Sequence, residues 1–200
     1  TGRALVPVVE AGYRGLAIDL SWPMLQLVQQ KAQQQKLNIQ CLRTNLVEMN
    51  GLAENSVDHC ICLFSTLGMI SGKDNRQATL QHIARIMKPG GRFILHVHNY
   101  WYNLYDPGGP KWLIRNWLQS LFTKNVQRGD RQFSYRGVPN MFLHVFRYRE
   151  IKRALKSAGL SIERTVPLHA QRQRPLCNPW LFRDLRANGW IFSIRHHGHP

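Results

Sequence analysis

Short apolar runs alternate with amphipathic segments along the first hundred residues. The apolar runs predict strands at residues 14–19, 38–43, 57–64 and 92–98. Apolar side chains recur every three or four positions over residues 24–36 and 74–87, which predicts two helices. In the first of these helices, Met24, Leu27, Val28 and Lys31 recur at helical spacing. This alternation predicts an α/β fold with a mostly parallel, doubly wound sheet.

Local signals predict where these elements begin and end. Ser21 is expected to cap the first helix, with Pro23 in its first turn. Asp74 or Asn75 is expected to cap the second helix, after a loop at residues 65–72. The run Pro89-Gly90-Gly91 then predicts a stop and a turn into the last of the four strands.

The second hundred residues are less regular. They predict, in chain order, a loop at residues 100–110, a helix at 112–122, strands at 132–135 and 141–148, a helix at 150–158, a strand at 160–166, a helix at 180–187 and a strand at 189–195. The alternating pattern of the first two of these strands is typical of a small antiparallel insertion. Gly159 is expected to close the helix before it.

Length and composition predict one globular domain spanning residues 1–200. Hydrophobic residues make up 44% of the chain and charged residues 19%, as in folded proteins. No apolar run is long enough to span a membrane. Thr1-Gly2-Arg3 leads directly into folded-looking sequence, so a signal peptide is not expected.

Positive charge is concentrated in the second half of the chain. Residues 1–110 carry 10 Lys and Arg against 7 Asp and Glu, whereas residues 111–200 carry 17 against 4. A net charge of +13 in the second part attracts polyanions, such as RNA, anionic membrane surfaces or acidic substrates. Aromatic residues such as Trp117, Phe122 and Trp180 are interspersed there, which is compatible with base stacking but is more typical of a core.

The cysteines and the histidines near residue 196 are residue types that can bind a metal ion. Cys60 and Cys62 lie on one face of a predicted strand, but zinc pairs usually have a wider spacing and no second pair exists. Buried, reduced thiols are therefore favoured, and with them a cytoplasmic location. The run His196-His197-Gly198-His199 is expected to be a solvated tail. No metal site is predicted.

Several motifs resemble those of class I S-adenosylmethionine-dependent methyltransferases. Gly2-Arg3 is similar to the end of the glycine loop in that family, and Asp19 follows it by 17 residues at a strand end. The run Lys88-Pro-Gly-Gly-Arg92 resembles the turn before the family's fifth strand. Residues 147–160, with Glu150-Ile151, Leu155 and Ala158-Gly159-Leu160, resemble a late helix of these domains. The resemblance spans residues 1 to about 166, and it implies that type of fold, with a reversed last strand.

The resemblance also implies a cofactor site for S-adenosylmethionine. It assigns Asp19 to the ribose hydroxyls and Asn45 to the adenine, where the family usually has Asp; an Asn in a left-handed turn is an equal alternative for Asn45. It places the cofactor-binding set at Gly2, Asp19, Leu20, Asn45, Leu46, Phe64 and Ser65. An acid at this distance from a glycine turn suits two ribose hydroxyls on physical grounds as well. Residues 1–99 are thus the expected cofactor half, and residues 100–200 the basic, substrate-side half.

Methyl transfer depends mainly on positioning, so a general base is optional. His98 and Tyr100 are the candidate catalytic residues, since they follow the strand after the glycine turn. His96 lies on the same face of that strand as His98, and His144 is a weaker candidate on another strand. The alternative for the strand histidines is a purely structural bond to a neighbouring loop.

The methyl acceptor is expected to be a small molecule. Two nucleic-acid methyltransferase signatures are absent: the Asp/Asn-Pro-Pro-aromatic motif, in place of which Phe64-Ser-Thr-Leu67 stands, and a Pro-Cys nucleophile. The competing hypothesis is a non-catalytic domain that binds RNA or a partner through its basic half. A nicotinamide-dependent oxidoreductase is a third alternative.

The resemblance further implies that the family's first strand and most of the glycine loop are missing from this sequence. We therefore expect a truncated reading of a longer methyltransferase and weak cofactor binding by this chain. The oligomeric state is left open.

Overall fold

A computed structural model describes residues 2–124, 126–135 and 137–196. Thr1 and the histidines at 197 and 199 lie outside the described residues. The helices are α1 (Leu5–Glu10), α2 (Trp22–Gln34), α3 (Thr66–Met69), α4 (Lys73–Ile86), α5 (Gly109–Phe122), α6 (Tyr148–Ser157) and α7 (Arg183–Arg186). The strands are β1 (Gly15–Asp19), β2 (Ile39–Arg43), β3 (Val57–Cys62), β4 (Met87–His98), β5 (Asp130–Tyr135), β6 (Val138–His144), β7 (Leu160–Pro167) and β8 (Gly189–His196). Two 3-10 helices cover Met49–Gly51 and Tyr100–Tyr105.

The chain divides into two compact units between Ala53 and Glu54. The boundary between the two functional halves predicted at residue 99 therefore falls inside the second unit. None of the helices in the described part of the chain is both long and apolar enough to cross a membrane.

The first unit contains the parallel pair β1 and β2. Their register runs from Gly15 opposite Ile39 to Asp19 opposite Arg43, so both strands end side by side. A side chain at Gly15 would collide with Leu5 and Val9 of α1, so this glycine is what lets α1 pack against the start of β1. Each of these two strands was predicted from its apolar run.

Helix α2 covers most of the predicted range. Its buried side chains are Leu25, Val28 and Ala32, whereas Met24 and Leu27 are exposed. Apolar residues on both sides of the helix make the inner face ambiguous in the sequence. The side chain of Ser21 does not cap the helix, although Pro23 does occupy its first turn.

The second unit contains a four-stranded sheet in the order β3-β4-β8-β7. Strand β4 runs parallel to β3, and β8 runs antiparallel to both β4 and β7. The last strand is therefore reversed, as predicted. Strands β5 and β6 form a separate antiparallel pair, which confirms the predicted insertion. Strands β3, β4 and β7 thus run in the same direction, and only β8 is reversed. The fold is the predicted α/β type with a mostly parallel sheet.

The glycine turn before Arg92 interrupts the pairing of β4 with β3. Val57 is paired with Met87 and His59 with Arg92, so residues 88–91 stand out from the ladder. Gly90 has a φ of 79°, and a side chain at Gly91 would lie 2.5 Å from the Asp58 carbonyl oxygen. Two glycines are needed because one position is left-handed and the other is in close backbone contact.

Three predicted details of the second unit are wrong. Helix α4 begins after Gly72, not after a cap at Asp74 or Asn75. The helix predicted at residues 180–187 is reduced to the single turn α7, because Phe182 adopts a left-handed conformation and the apolar side chains before it are exposed. His196, expected in a solvated tail, is the buried last residue of β8.

Candidate active site

Asp19 ends β1 at the carboxyl edge of the strand pair, where ligands bind in parallel α/β sheets. Its side chain is exposed, and its Oδ1 accepts a hydrogen bond from the Ser21 backbone N–H at 2.9 Å. This bond fixes the carboxylate over the turn into α2. Asp19 is thus also a turn residue, and the hydrogen bond of the turn holds its carboxylate in one orientation.

The turn after β2 brings Asn45 next to the end of β1. The Thr44 N–H donates to the Asp19 carbonyl oxygen at 3.3 Å, and the Arg43 guanidinium donates to the carbonyl oxygen of Leu20 at 3.2 Å. Asn45 itself closes a turn, since its Oδ1 accepts from the Val47 N–H at 3.2 Å. The structure therefore places the four predicted residues Asp19, Leu20, Asn45 and Leu46 at two adjacent strand ends.

Asn45 does not adopt the left-handed backbone that was the alternative explanation for it, because its φ is not positive. Its carbonyl oxygen also accepts from the Glu48 N–H at 2.9 Å, which completes the turn. The Oδ1 atom already accepts one hydrogen bond within this turn, whereas no hydrogen bond within the turn uses the amide nitrogen, which can donate to a ligand.

Gly2 forms the turn that starts α1. It has a φ of 70°, and its carbonyl oxygen accepts from the N–H groups of Leu5 and Val6. A side chain at Gly2 would lie 3.3 Å from Val6 and 3.5 Å from Val28, so the turn packs closely on α2. Glycine suits this position because it combines a left-handed backbone with little space for a side chain.

In the second unit, β3 ends in a strained turn at Phe64 and Ser65. Both have left-handed backbones, with φ of 58° and 59°. For residues other than glycine this conformation costs roughly 1–2 kcal/mol each. The turn leaves Phe64 about half exposed and buries Ser65 completely. Strain of this kind concentrates at ligand-binding turns, and the sequence contains no signal for it.

Ser65 connects the ends of β3 and β4. Its Oγ accepts a hydrogen bond from the His98 backbone N–H at 3.3 Å, and its carbonyl oxygen accepts from the Gly68 N–H at 2.8 Å. Three of the predicted site residues, Phe64, Ser65 and His98, thus lie together at the carboxyl edge of the parallel pair β3 and β4.

The two histidines of β4 are neutral. Their rings pack edge to face with centroids 5.0 Å apart, which confirms that His96 and His98 share one face of the strand. Burial, with a smaller effect from Arg172, lowers the pKa of His96 to about 4. Burial, with smaller effects from His96 and Arg172, lowers the pKa of His98 to about 3. A neutral imidazole of such low basicity binds a polar group better than it removes a proton.

Tyr100 does not lie where an acceptor could reach it. It is fully buried in an apolar cluster with Leu113 and Val145, and its hydroxyl donates to the Leu113 carbonyl oxygen at 3.3 Å. The position next to His98 in sequence was a poor guide, because the chain turns inward after Asn99. The predicted catalytic role of Tyr100 is therefore dropped.

His144 is part of a buried ionic network. It is fully buried, its Nδ1 lies 2.7 Å from Asp130 Oδ1, and its Nε2 lies 2.7 Å from Glu150 Oε1. Sequence analysis missed this network. The signal would have been the β5–β6 register, which pairs Asp130 directly with His144. The network holds the hairpin on α6, and His144 is not available to a ligand.

The prediction of buried thiols agrees with the structure at Cys60 and Cys62 but not at Cys177. Burial raises the pKa of Cys60 to about 12 and that of Cys62 to about 11, whereas Cys177 is exposed. Among residues 2–124, 126–135 and 137–196, no three His, Cys, Asp or Glu side chains are grouped to hold a metal ion.

The first half of the chain is similar to known methyltransferases. A family profile described as "Methyltransferase domain" matches residues 1–95, which include β1 to β3 and most of β4. A methyltransferase of Geobacillus sp. (strain WCH70) is 28% identical over 100 residues, which are 50% of this chain and 39% of that protein. The matched region thus covers well under half of the curated relative's length.

Solved structures confirm the fold over nearly the whole chain. An S-adenosylmethionine-dependent methyltransferase of Methanosarcina mazei superimposes with a TM-score of 0.75 at 15% identity, over 97% of this chain and 87% of that one. The 1,6-didemethyltoxoflavin-N1-methyltransferase of Burkholderia thailandensis, solved with that substrate and S-adenosylhomocysteine, gives 0.63 at 16% identity, over 98% and 67%. The methyltransferase CcbJ of Streptomyces caelestis gives 0.67 at 15% identity, over 98% and 80%. Together with the family profile over residues 1–95, these structures show that the chain has the fold of class I S-adenosylmethionine-dependent methyltransferases.

Proposed function

We propose that the protein binds S-adenosylmethionine and transfers its methyl group to a small-molecule acceptor. The observation that carries the proposal is the exposed carboxylate of Asp19, fixed by Ser21 at the carboxyl end of β1, within the region that matches the methyltransferase family. A charged acceptor makes stronger hydrogen bonds to ribose hydroxyls than a neutral one does.

Residues of suitable chemistry for this proposal are present within each unit taken by itself. In the first unit, the Asn45 amide nitrogen is the group for the adenine edge, with Leu46 beside it. In the second unit, the backbone around Phe64 and Ser65 is the proposed contact for the methionine part. The S-adenosylmethionine supplies an activated methyl group, and the chain's residues bind and orient it.

His98 is the proposed contact for the methyl acceptor. Its low pKa keeps the ring neutral, so it offers a hydrogen bond that orients the acceptor without adding charge. A small acceptor is supported by structural relatives, one of which holds 1,6-didemethyltoxoflavin. An RNA acceptor has no support beyond the positive charge of the second half, and a cytoplasmic location remains a prediction.

Calorimetric titration of S-adenosylhomocysteine into the wild-type protein and an Asp19→Asn variant tests the cofactor site. Asn can still accept the bond from the Ser21 N–H, so the turn is kept and only the charge is removed. We expect binding to weaken about tenfold to a hundredfold, the equivalent of one hydrogen bond to a charged group. Glu54→Gln is the control, because it removes another exposed acid outside the proposed site.

Equal affinity of the wild-type and Asp19→Asn proteins would show that Asp19 does not bind the ribose. A protein that binds S-adenosylhomocysteine but methylates nothing in a small-molecule mixture, while it binds RNA, would support the non-catalytic alternative. For His98, a His98→Gln variant should retain cofactor affinity and lose acceptor affinity once the acceptor is known.

A further inference from the structure

Helix α5 is held on the second unit by a narrow inner face. Leu113 packs in the cluster with Tyr100, and Asn116 is buried. The Asn116 side chain donates to the Asp130 carbonyl oxygen at 3.1 Å and accepts from the Gly129 N–H at 2.8 Å. These contacts fix the rotation of the helix about its axis, so its outer face is determined as well.

The outer face of α5 is a continuous apolar stripe. It consists of five side chains that are between 42% and 84% exposed: Ile114, Trp117, Leu118, Leu121 and Phe122. Their spacing of three and four residues places them on one side of the helix, opposite Leu113 and Asn116. Single exposed apolar residues are ordinary, but a stripe of five that includes Trp and Phe marks an interaction surface.

The stripe is bordered by positive charge and has no acid near it in sequence. Exposed Lys111 and Arg115 lie along one side of the stripe at helical spacing, and exposed Lys124 follows the end of the helix. Between Asp106 and Asp130 the sequence contains no Asp or Glu. Long basic side chains beside Trp, Leu and Phe are the composition of helices that lie in a membrane interface.

We propose that α5 is a membrane-surface helix that inserts its apolar stripe among anionic lipids. The charge pattern favours this occupant over a second copy of the chain. A symmetric dimer through α5 would bring its basic border against the same border of its partner, which is unfavourable. An anionic lipid surface satisfies both features, since the cations contact headgroups while the stripe enters the acyl boundary. This inference does not depend on the proposed methyl transfer.

Vesicle flotation with the full-length protein tests the proposal. Vesicles of phosphatidylcholine alone are compared with equimolar phosphatidylcholine and phosphatidylglycerol. We expect binding to the anionic vesicles and at least tenfold weaker binding to the neutral ones. Leu121→Gln with Phe122→Gln should weaken binding to anionic vesicles by at least about tenfold, because two apolar side chains no longer leave water. Both residues are exposed, so folding is not expected to suffer.

Two further variants separate the contributions of charge and apolar surface. Lys111→Gln with Arg115→Gln should weaken binding to anionic vesicles and reduce its sensitivity to salt. Tyr13→Gln removes an exposed aromatic outside α5 and should leave binding unchanged. Thermal melting of each variant confirms that it is folded.

Several results would overturn the proposal. One is equal binding of the wild-type and Leu121→Gln/Phe122→Gln proteins to anionic vesicles, and another is equal binding of the wild type to neutral and anionic vesicles. A third is the absence of vesicle binding together with a dimer in sedimentation that the same double substitution converts to monomer. In that case the stripe is an interface between copies of the chain.

Discussion

Replacement of His144 by Leu should strongly destabilise the second unit. The substitution keeps an apolar body of similar size but removes both contacts to Asp130 and Glu150, each 2.7 Å long. A neutral imidazole has a single N–H, so the two contacts require an imidazolium or a protonated carboxyl group. The pKa of each carboxyl group is lowered, which favours the carboxylate form of both Asp130 and Glu150.

The magnitude follows from what remains after the substitution. The side chains of Asp130 and Glu150 are only 16% and 24% exposed, so two carboxylates would stay largely desolvated and face each other. Breaking a buried ion pair costs about 3–5 kcal/mol. The Gln127 N–H still donates to Asp130, and Arg147 still lies near Glu150, so we expect the lower end, about 3 kcal/mol. For a domain of this size, that corresponds to a fall in melting temperature of roughly 6–12 °C.

The pH dependence distinguishes this mechanism from a simple packing defect. Burial raises the pKa of Asp130 and of Glu150, but the hydrogen bond from His144 and other favourable contacts outweigh burial, and the net shift is downward. A lowered pKa in the folded state contributes stability above the unfolded value of about 4, and that stability is lost as the pH falls through the folded pKa. Without His144, burial dominates and both carboxyl groups take up protons more readily.

Urea unfolding of the wild-type and His144→Leu proteins, from neutral pH down to about pH 4, measures both effects. The difference in the free energy of unfolding should be largest near neutral pH and should narrow in acid. The control is His59→Asn, which replaces an exposed histidine and keeps an acceptor for the Arg92 N–H, and it should change stability by less than about 0.5 kcal/mol. A His144→Leu effect below about 1 kcal/mol, or one that is constant with pH, would refute an ionised network.

Two further predictions concern packing and thiol reactivity. Gly68→Ala should lower the free energy of unfolding by about 1–3 kcal/mol, because the added carbon would lie 2.5 Å from the His144 carbonyl oxygen, whereas a side chain at Gly51 has open space. Gly68→Ala should therefore melt at a lower temperature than the control Gly51→Ala, and equal melting temperatures would contradict the contact. Iodoacetamide in limiting amount should modify exposed Cys177 first and should modify Cys60 only after unfolding, because burial raises the pKa of Cys60 to about 12. Mass spectrometry identifies the modified residue, and modification of Cys60 in the folded protein would contradict this prediction.

Much of the fold was predictable because the spacing of apolar residues and the residues that end each element agree along the sheet strands. The apolar run that ends at Asp19 predicted β1, and the run after Gly159 predicted β7. Both signals are local, because each depends only on residues that are close together in sequence. Gly159 has the expected left-handed φ of 73°, and it ends α6 as predicted.

What the sequence did not predict depends on contacts between distant segments. The inner face of α2 was not predicted, because Leu25 and Leu27 are equally apolar and only packing decides which one is buried. The left-handed backbones of Phe64 and Ser65 were missed because neither residue type favours that conformation. Tyr100 was misjudged because its burial depends on Leu113 of a later helix.

The candidate site was predictable at the level of its strand ends. The resemblance to class I methyltransferases assigned Asp19 and Asn45 to the site, and the structure brings both to adjacent strand ends. The sequence did not show how each side chain is held. The bond from the Ser21 N–H to Asp19 and the bond from the Val47 N–H to Asn45 are turn contacts that become visible only in the folded chain.

The most direct test of the central claim is a pair of calorimetric titrations of the full-length protein, one with S-adenosylhomocysteine and one with NADH. Both ligands contain an adenosine whose ribose an acid such as Asp19 would bind, so the comparison tests the class of cofactor and not merely the presence of a nucleotide site. We predict saturable binding of S-adenosylhomocysteine and none of NADH. Binding of NADH alone, or of neither ligand, would contradict the proposed methyltransferase function.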